Sequence, residues 1–130
     1  MRGLPRVSPV HQSQPLVPAE KQKPGSSPAA NQVVQPIRDL LWKEVGIVRT
    51  ASGLKRAIHE LWRLRECLTP PGNRAACEAV NLHQVALLIA RSALAREESR
   101  GAHYRTDYPS HNDAKFQKHS IAGADQVRFE

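Results

Sequence analysis

The chain has 130 residues, 40% of them hydrophobic, enough for one modest domain with a small core and too few for two. Nineteen Lys and Arg stand against 12 Asp and Glu, a formal net charge of +7, yet acids and bases interleave, as in "LKRAIHELWRLRE" and "REESR". No run of four like charges offers a polyanion-binding arm, so a nucleic-acid adaptor ranks last among the functional readings. No window approaches the roughly eighteen apolar residues of a membrane span, and the N-terminus lacks an apolar leader. Cys67 and Cys77 form neither a disulfide framework nor a zinc spacing, and they read as ordinary thiols of a cytoplasmic protein.

Residues 1–36 hold seven of the ten prolines and show neither helical nor strand periodicity. Proline fixes φ and removes a donor, and the intervening Ser, Gln, Lys and Gly have little to bury. The expectation is a disordered Pro-rich linker over 1–35, followed by a helical domain over 36–130. Pro36 suits a first helical turn, and Ile37, Leu40, Leu41, Val45 and Val48 trace one helical face until Gly46 weakens it. A second helix is expected from about Ser52, with Leu54, Ala57, Ile58, Leu61, Leu64 and Leu68 on one face and Lys55, Arg56, Glu60, Arg63 and Arg65 on the solvated rest. "TPPGN" at 69–73 stops it.

A third helix is expected from about Arg74 to Arg100, with Gly101 as its stop. Its middle, "VALLIARSALA", is apolar nearly all round, as suits a central helix contacted on more than one side. The economical architecture is all-α: a three-helix bundle with an irregular C-terminal tail, in which a short helix from Ala114 and a short strand in "QVRFE" are conceivable. Trp42 and Trp62 lie off the main stripes, and either fill gaps between helices or cover a surface for another domain. His103, His111 and His119 lie eight apart on a polar stretch and read as solvated histidines rather than metal ligands.

The densest chemistry lies in "AREESRGAHYRTDYP", residues 95–109. Arg96 and Arg100 are four apart, and cations there would favour the end of a helix. "HYRTDYP" goes beyond that need. Tyr-Pro at 108–109 holds the backbone extended, and alternating Tyr, Arg, Asp and His suits a partner surface or the wall of an active site.

"IRDLLWKEVGIVRTASGLKRAIHEL", "NLHQVALLIARSALAREESRGAHYRTDYP" and "NDAKFQKHSI" together resemble the C-terminal region of L-aspartate oxidase. That flavoenzyme of de novo NAD synthesis belongs to the succinate dehydrogenase and fumarate reductase flavoprotein superfamily. The likeness covers about residues 36–130; "VGIVRT" points to the aspartate oxidase branch, whereas "SRGAH" and "NDAKFQKH" are shared more widely. It implies a helical bundle following flavin-binding and capping domains, in an enzyme that uses FAD to oxidise L-aspartate to iminoaspartate and passes electrons to oxygen or fumarate. The substrate-binding His and Arg residues of that family, and its proton-carrying arginine, belong to domains with no counterpart in this sequence. There is also no GxGxxG after a strand to hold FAD. The resemblance therefore assigns no catalytic, cofactor-binding or metal residue. It assigns a domain-docking segment, Ser99, Arg100, Gly101, His103, Tyr104, Arg105, Asp107 and Tyr108, expected to face an FAD-binding domain or flavoprotein subunit. The leading expectation is a detached C-terminal domain, inactive alone; the alternative is an interaction module that docks onto a separately encoded flavoprotein.

Overall fold

A computed structural model describes residues 28–123 and 126–130. The expected linker lies, through residue 27, outside the described residues. The protein is mainly helical, with α1 at Pro28–Glu44, α2 at Ala51–Arg65 and α3 at Arg74–Ala95. Short elements follow or intervene: β1 at Val48–Arg49, β2 at Tyr104–Arg105, α4 at Asp113–Phe116, β3 at Ser120–Ala122 and β4 at Val127–Phe129.

Helix α1 begins at Pro28 rather than Pro36, which lies inside it. Val33, one turn before Ile37, is buried with it, and that apolar pair carries the helix through a proline whose exposed position lets the lost hydrogen bond face water. Val48 is not on this face. The helix ends at Glu44, and Val48 lies exposed in β1. Helix α2 follows the expected pattern closely: Thr50 caps it by accepting from Gly53 N at 3.0 Å, and Leu54, Ala57 and Leu61 are buried while Ile58, Leu64 and Leu68 pack at the margin. Asn73 caps α3 in the same way, accepting from Ala76 N at 2.9 Å.

The three helices pack against one another pairwise around a core of Val33, Ile37, Val45, Leu54, Ala57, Leu61, Ala86, Ala90 and Ala93. The contribution of α3 differs from expectation. Its buried residues are Ala76, Ala79, His83, Ala86, Ala90 and Ala93, spaced alternately three and four apart, so small side chains form the seam and permit close approach of α1 and α2. Leu82, Leu87 and Leu94 pack at the margin of the core, while Val85, Leu88 and Ile89 remain exposed. The helix is apolar nearly all round in sequence, but the face of Val85, Leu88 and Ile89 is left uncovered among the described residues. His83 is satisfied within the seam, donating from Nε2 to the Leu61 carbonyl at 2.7 Å and so linking α3 to α2.

Helix α3 stops at Ala95, before Gly101. Arg96 takes an extended conformation (φ −85°, ψ 101°), and the chain turns back because its carbonyls and acidic side chains find partners elsewhere, as described below. Arg96 and Arg100 thus do not share a helical face. Gly101, at φ +55°, instead opens a two-residue reverse turn in which Arg100 and His103 exchange backbone hydrogen bonds of 2.8 and 3.0 Å. The C-terminal segment is also more regular than an irregular tail. Asn112 caps α4, and β3 pairs antiparallel with β4 from Ser120–Phe129 to Ala122–Val127. Phe116 and Phe129 meet edge to face at 4.8 Å, giving this segment its own small apolar centre.

Candidate domain-docking site

The candidate docking segment gains its position through a strand pair that joins distant parts of the chain. Strands β1 and β2 run parallel, Val48 beside Tyr104 and Arg49 beside Arg105, with Tyr104 N donating to Ile47 O at 3.1 Å and Thr106 N to Arg49 O at 3.0 Å. "VGIVRT" and "HYRTDYP" thereby become neighbours.

Arg105 anchors that pair. Its side chain is only 1% exposed, and its Nη1 donates to the carbonyls of Ala93, Leu94 and Arg96 at 2.9, 3.1 and 3.2 Å. The last carbonyls of α3 thus receive a cation, as a helix C-terminus favours, but from a residue in β2 rather than from Arg96 or Arg100. The opposite edge of the guanidinium grips Asp107 through two bonds of 2.8 and 2.7 Å. This fork holds the Asp107 carboxyl down at about 2. Asp107 also accepts from Ala51 N at 3.2 Å, placing an acid at the start of α2, whose first turn has none of its own. Tyr108 lies over the Arg105 guanidinium at 5.0 Å.

Glu98 forms a second centre. It is fully buried, accepts from Arg96 at 2.6 Å and Arg100 at 2.9 Å, and takes a backbone bond from Asn112 at 2.8 Å. The Arg100 bond above all, helped by Asn112 and Arg96, holds its carboxyl at about 2 against the opposing effect of burial. Arg100 also pairs with Asp113, and its own pKa is raised. Arg96 extends further, donating to the Phe116 and Lys118 carbonyls at 2.7 Å each, with its guanidinium over the Phe116 and Phe129 rings.

His103 lies at the junction of these centres. Its Nδ1 accepts from Arg49 Nη1 at 2.6 Å and its Nε2–H donates to Arg96 O at 3.1 Å, which fixes the neutral tautomer. Burial first, then the charges of Arg49, Arg105 and Arg96, push its pKa down despite the bond to the Arg96 carbonyl. It is therefore a held histidine, whereas His111 and His119 are exposed.

Among the eight candidate docking residues, Ser99 and Arg105 are buried; the Ser99 hydroxyl donates to Tyr108 O at 2.8 Å and accepts from Arg105 N at 2.8 Å. Arg100 and His103 are half-buried, and Gly101, Tyr104, Asp107 and Tyr108 are exposed. Glu98 and Arg49 were not singled out from sequence. Nothing distinguishes Glu98 from Glu97, which faces solvent and pairs with Lys115, whereas the place of Arg49 within "VGIVRT" was a usable signal. Trp42 is 88% exposed and Trp62 is 48% exposed, so neither fills the core.

Residues 35–130 match the fumarate reductase flavoprotein C-term family. The chain belongs to that family. Its relatives include L-aspartate oxidases. L-aspartate oxidase of Acinetobacter baylyi is 40% identical over 78 residues, 56% of this chain and 14% of that protein. L-aspartate oxidase of Pseudomonas aeruginosa is 44% identical over 81 residues, again 56% of this chain and 14% of that protein. A succinate dehydrogenase flavoprotein subunit of Rickettsia bellii is 49% identical over 52 residues, 40% of this chain and 9% of its own. The chain thus spans about one seventh of the length of the aspartate oxidases it matches. Its similarity to them is to the C-terminal domain of these flavoproteins. No helix among the described residues is long and apolar enough to cross a membrane.

Proposed function

We propose that residues 36–130 serve as the C-terminal helical domain of an L-aspartate oxidase-type flavoprotein, a three-helix bundle whose task is to dock on the FAD-binding domain. The complete enzyme would oxidise L-aspartate to iminoaspartate for NAD synthesis in the cytoplasm; these residues supply no catalytic group and are inactive alone. The observation carrying this reading is the pairing of β1 with β2. It joins the motif closest to the aspartate oxidase branch to the arginine-rich turn and leaves Tyr104 and Tyr108 exposed beside it. The uncovered face of Val85, Leu88 and Ile89 on α3 supports the same conclusion, because contiguous exposed apolar surface suits contact with another domain. Ser99 and Arg105 act from inside, holding the segment that Arg100, Gly101, His103, Tyr104, Asp107 and Tyr108 present.

FAD belongs on the partner side of this contact. A pyrophosphate needs a glycine-rich helix start with free N–H groups. At the start of α2, a Cβ on Gly53 would lie 2.6 Å from Glu44 Oε2, so the space a phosphate would use holds a carboxylate, and Thr50 already takes the Gly53 N–H. At the start of α3, Asn73 fills the corresponding role.

The test is size-exclusion of the purified chain mixed with FAD-loaded aspartate oxidase lacking its own C-terminal region, with aspartate-dependent flavin reduction followed in the peak. Co-elution with restored reduction is expected. Separate elution, or binding unaffected by alanine at both Arg100 and His103, would count against the docking assignment.

A further inference from the structure

Four arginines converge where α3 ends, and three carboxylates answer them. Glu98 takes Arg96 and Arg100, Asp113 takes Arg100 as well, and Asp107 takes Arg105. Arg49 is left over. Its Nε donates to the Gly46 carbonyl at 2.6 Å and its Nη1 to His103 Nδ1 at 2.6 Å, both neutral partners, and among the described residues no carboxylate pairs with it. The imidazole adds no charge of its own there, since burial and the surrounding guanidiniums disfavour its protonation. Both fixed bonds aim the planar fork rather than neutralise it.

The place where this cation stands is concave. Leu88, Ile89 and Ala93 of α3 line one part of a groove of about 370 Å³, and Arg49 and His103 line another. Leu88 and Ile89 belong to the uncovered face of α3. A small hydrated anion would meet the guanidinium but leave that apolar surface in water; a protein surface can cover both. The aspartate oxidases similar to this chain are about seven times as long as the matched stretch, so most of such a protein lies outside it and is available to supply the contact.

We propose that this groove receives an acidic side chain of the FAD-binding domain, a carboxylate pairing with Arg49 beside an apolar contact on Leu88 and Ile89. The inference rests on the docking reading and adds its chemistry. Neither Nε nor Nη1 of Arg49 is bonded to a charged group, so a carboxylate brought to the guanidinium supplies the missing charge, and the apolar wall excludes the water that would weaken the pair.

The test measures the affinity of the full 130-residue chain for FAD-loaded Acinetobacter baylyi L-aspartate oxidase lacking the matched C-terminal region. Arg49→Met is expected to weaken binding about 30-fold or more and to flatten its salt dependence. Leu88→Asp leaves Arg49 and the core untouched and places a rival carboxylate in the groove; it is expected to weaken binding at least as strongly. Circular dichroism of each variant separates this loss from unfolding. If the wild-type chain binds and Leu88→Asp binds equally well, the groove assignment falls while docking stands. If the wild-type chain does not bind, both fall. Saturable binding of succinate to the chain alone, lost in Arg49→Met while the oxidase domain leaves the groove free, would assign the groove to a small dicarboxylate and overturn the proposal.

Discussion

The helices and the segment after Ala95 are held by opposite means. In α1–α3 the buried groups are aliphatic: Ile37, Leu54 and Leu61 are fully covered, and His83 is the one buried polar side chain within these helices among the described residues. Beyond Ala95 the covered side chains among the described residues are Glu98, Ser99, Arg105 and Phe116, three of the four polar. The first region is stabilised by removing apolar surface from water, which is tolerant of shape and indifferent to direction. The second depends on bonds with fixed geometry, in which each partner removed leaves another buried group unpaired. Two regions of one small domain therefore fail differently.

Substitution by a residue of similar size separates the two most sharply. Arg105→Met keeps the volume but strands Asp107 and three helix-terminal carbonyls, and is expected to cost about 3–5 kcal/mol in urea unfolding. Arg105→Lys should recover little, because an ammonium cannot serve both sides of the fork. A neutral result for Arg105→Met would mean that this segment is held by burial after all. In the helical core, Leu61→Ala should cost roughly 2–4 kcal/mol by cavity formation, with no change in salt dependence.

Glu98→Gln is expected to lose roughly 2 kcal/mol at neutral pH. The folded Glu98 holds its proton off to about 2, against an ordinary value of 4.5. Its stabilisation is thus complete above about pH 5 and disappears as pH falls toward 2. The glutamine variant should flatten that acid limb, whereas Leu61→Ala should lower the whole curve without changing its shape. Gly101→Ala places a Cβ where φ is +55° and nothing crowds it, so only the backbone conformation resists; about 1 kcal/mol is expected by thermal melting. Trp42→Ala, at a site 88% exposed, should change stability by less than about 0.5 kcal/mol. A larger loss would show that its ring covers surface the helices need.

The same contrast explains how much the sequence disclosed. Periodic burial is written in residue spacing, so α2 is legible in the leucine pattern and the start of α3 in the break at "TPPGN", whereas the caps Thr50 and Asn73 emerge only from the structure. The beginning of α1 was obscured by Pro36, which breaks a local rule, while Val33 supplied the tertiary contact that overrides it. The end of α3 is hidden in the sequence because Arg96–Arg100 continue a helical pattern of charge, and the partners that turn the chain away lie far along it: Asn112 for Glu98, the Lys118 carbonyl for Arg96. Bonds between distant residues leave no periodicity. Within residues 99–108, composition marks a dense polar stretch, but it cannot tell that Arg105 points inward while Tyr104 points out. Likewise the apolar middle of α3 announced burial on several sides, and only the alanine seam shows which side these helices use.

The parallel pairing of Val48–Arg49 with Tyr104–Arg105 carries a consequence for the order of events in folding. Between these two short strands lie the whole of α2 and α3. Residues 104 and 105 reach their partners only after α3 has returned along α2, so the helices must collapse first and the arginine turn must lock last. The aliphatic core, none of whose members lies beyond Ala93, would reach its final form while Glu98 and Arg105 are still hydrated. Mutations at Leu61 should then slow refolding, and mutations at Arg105 should chiefly hasten unfolding. A latch that closes only over packed helices also reports that they are packed, and the surface on which Tyr104 and Tyr108 stand exposed exists only on a correctly folded domain.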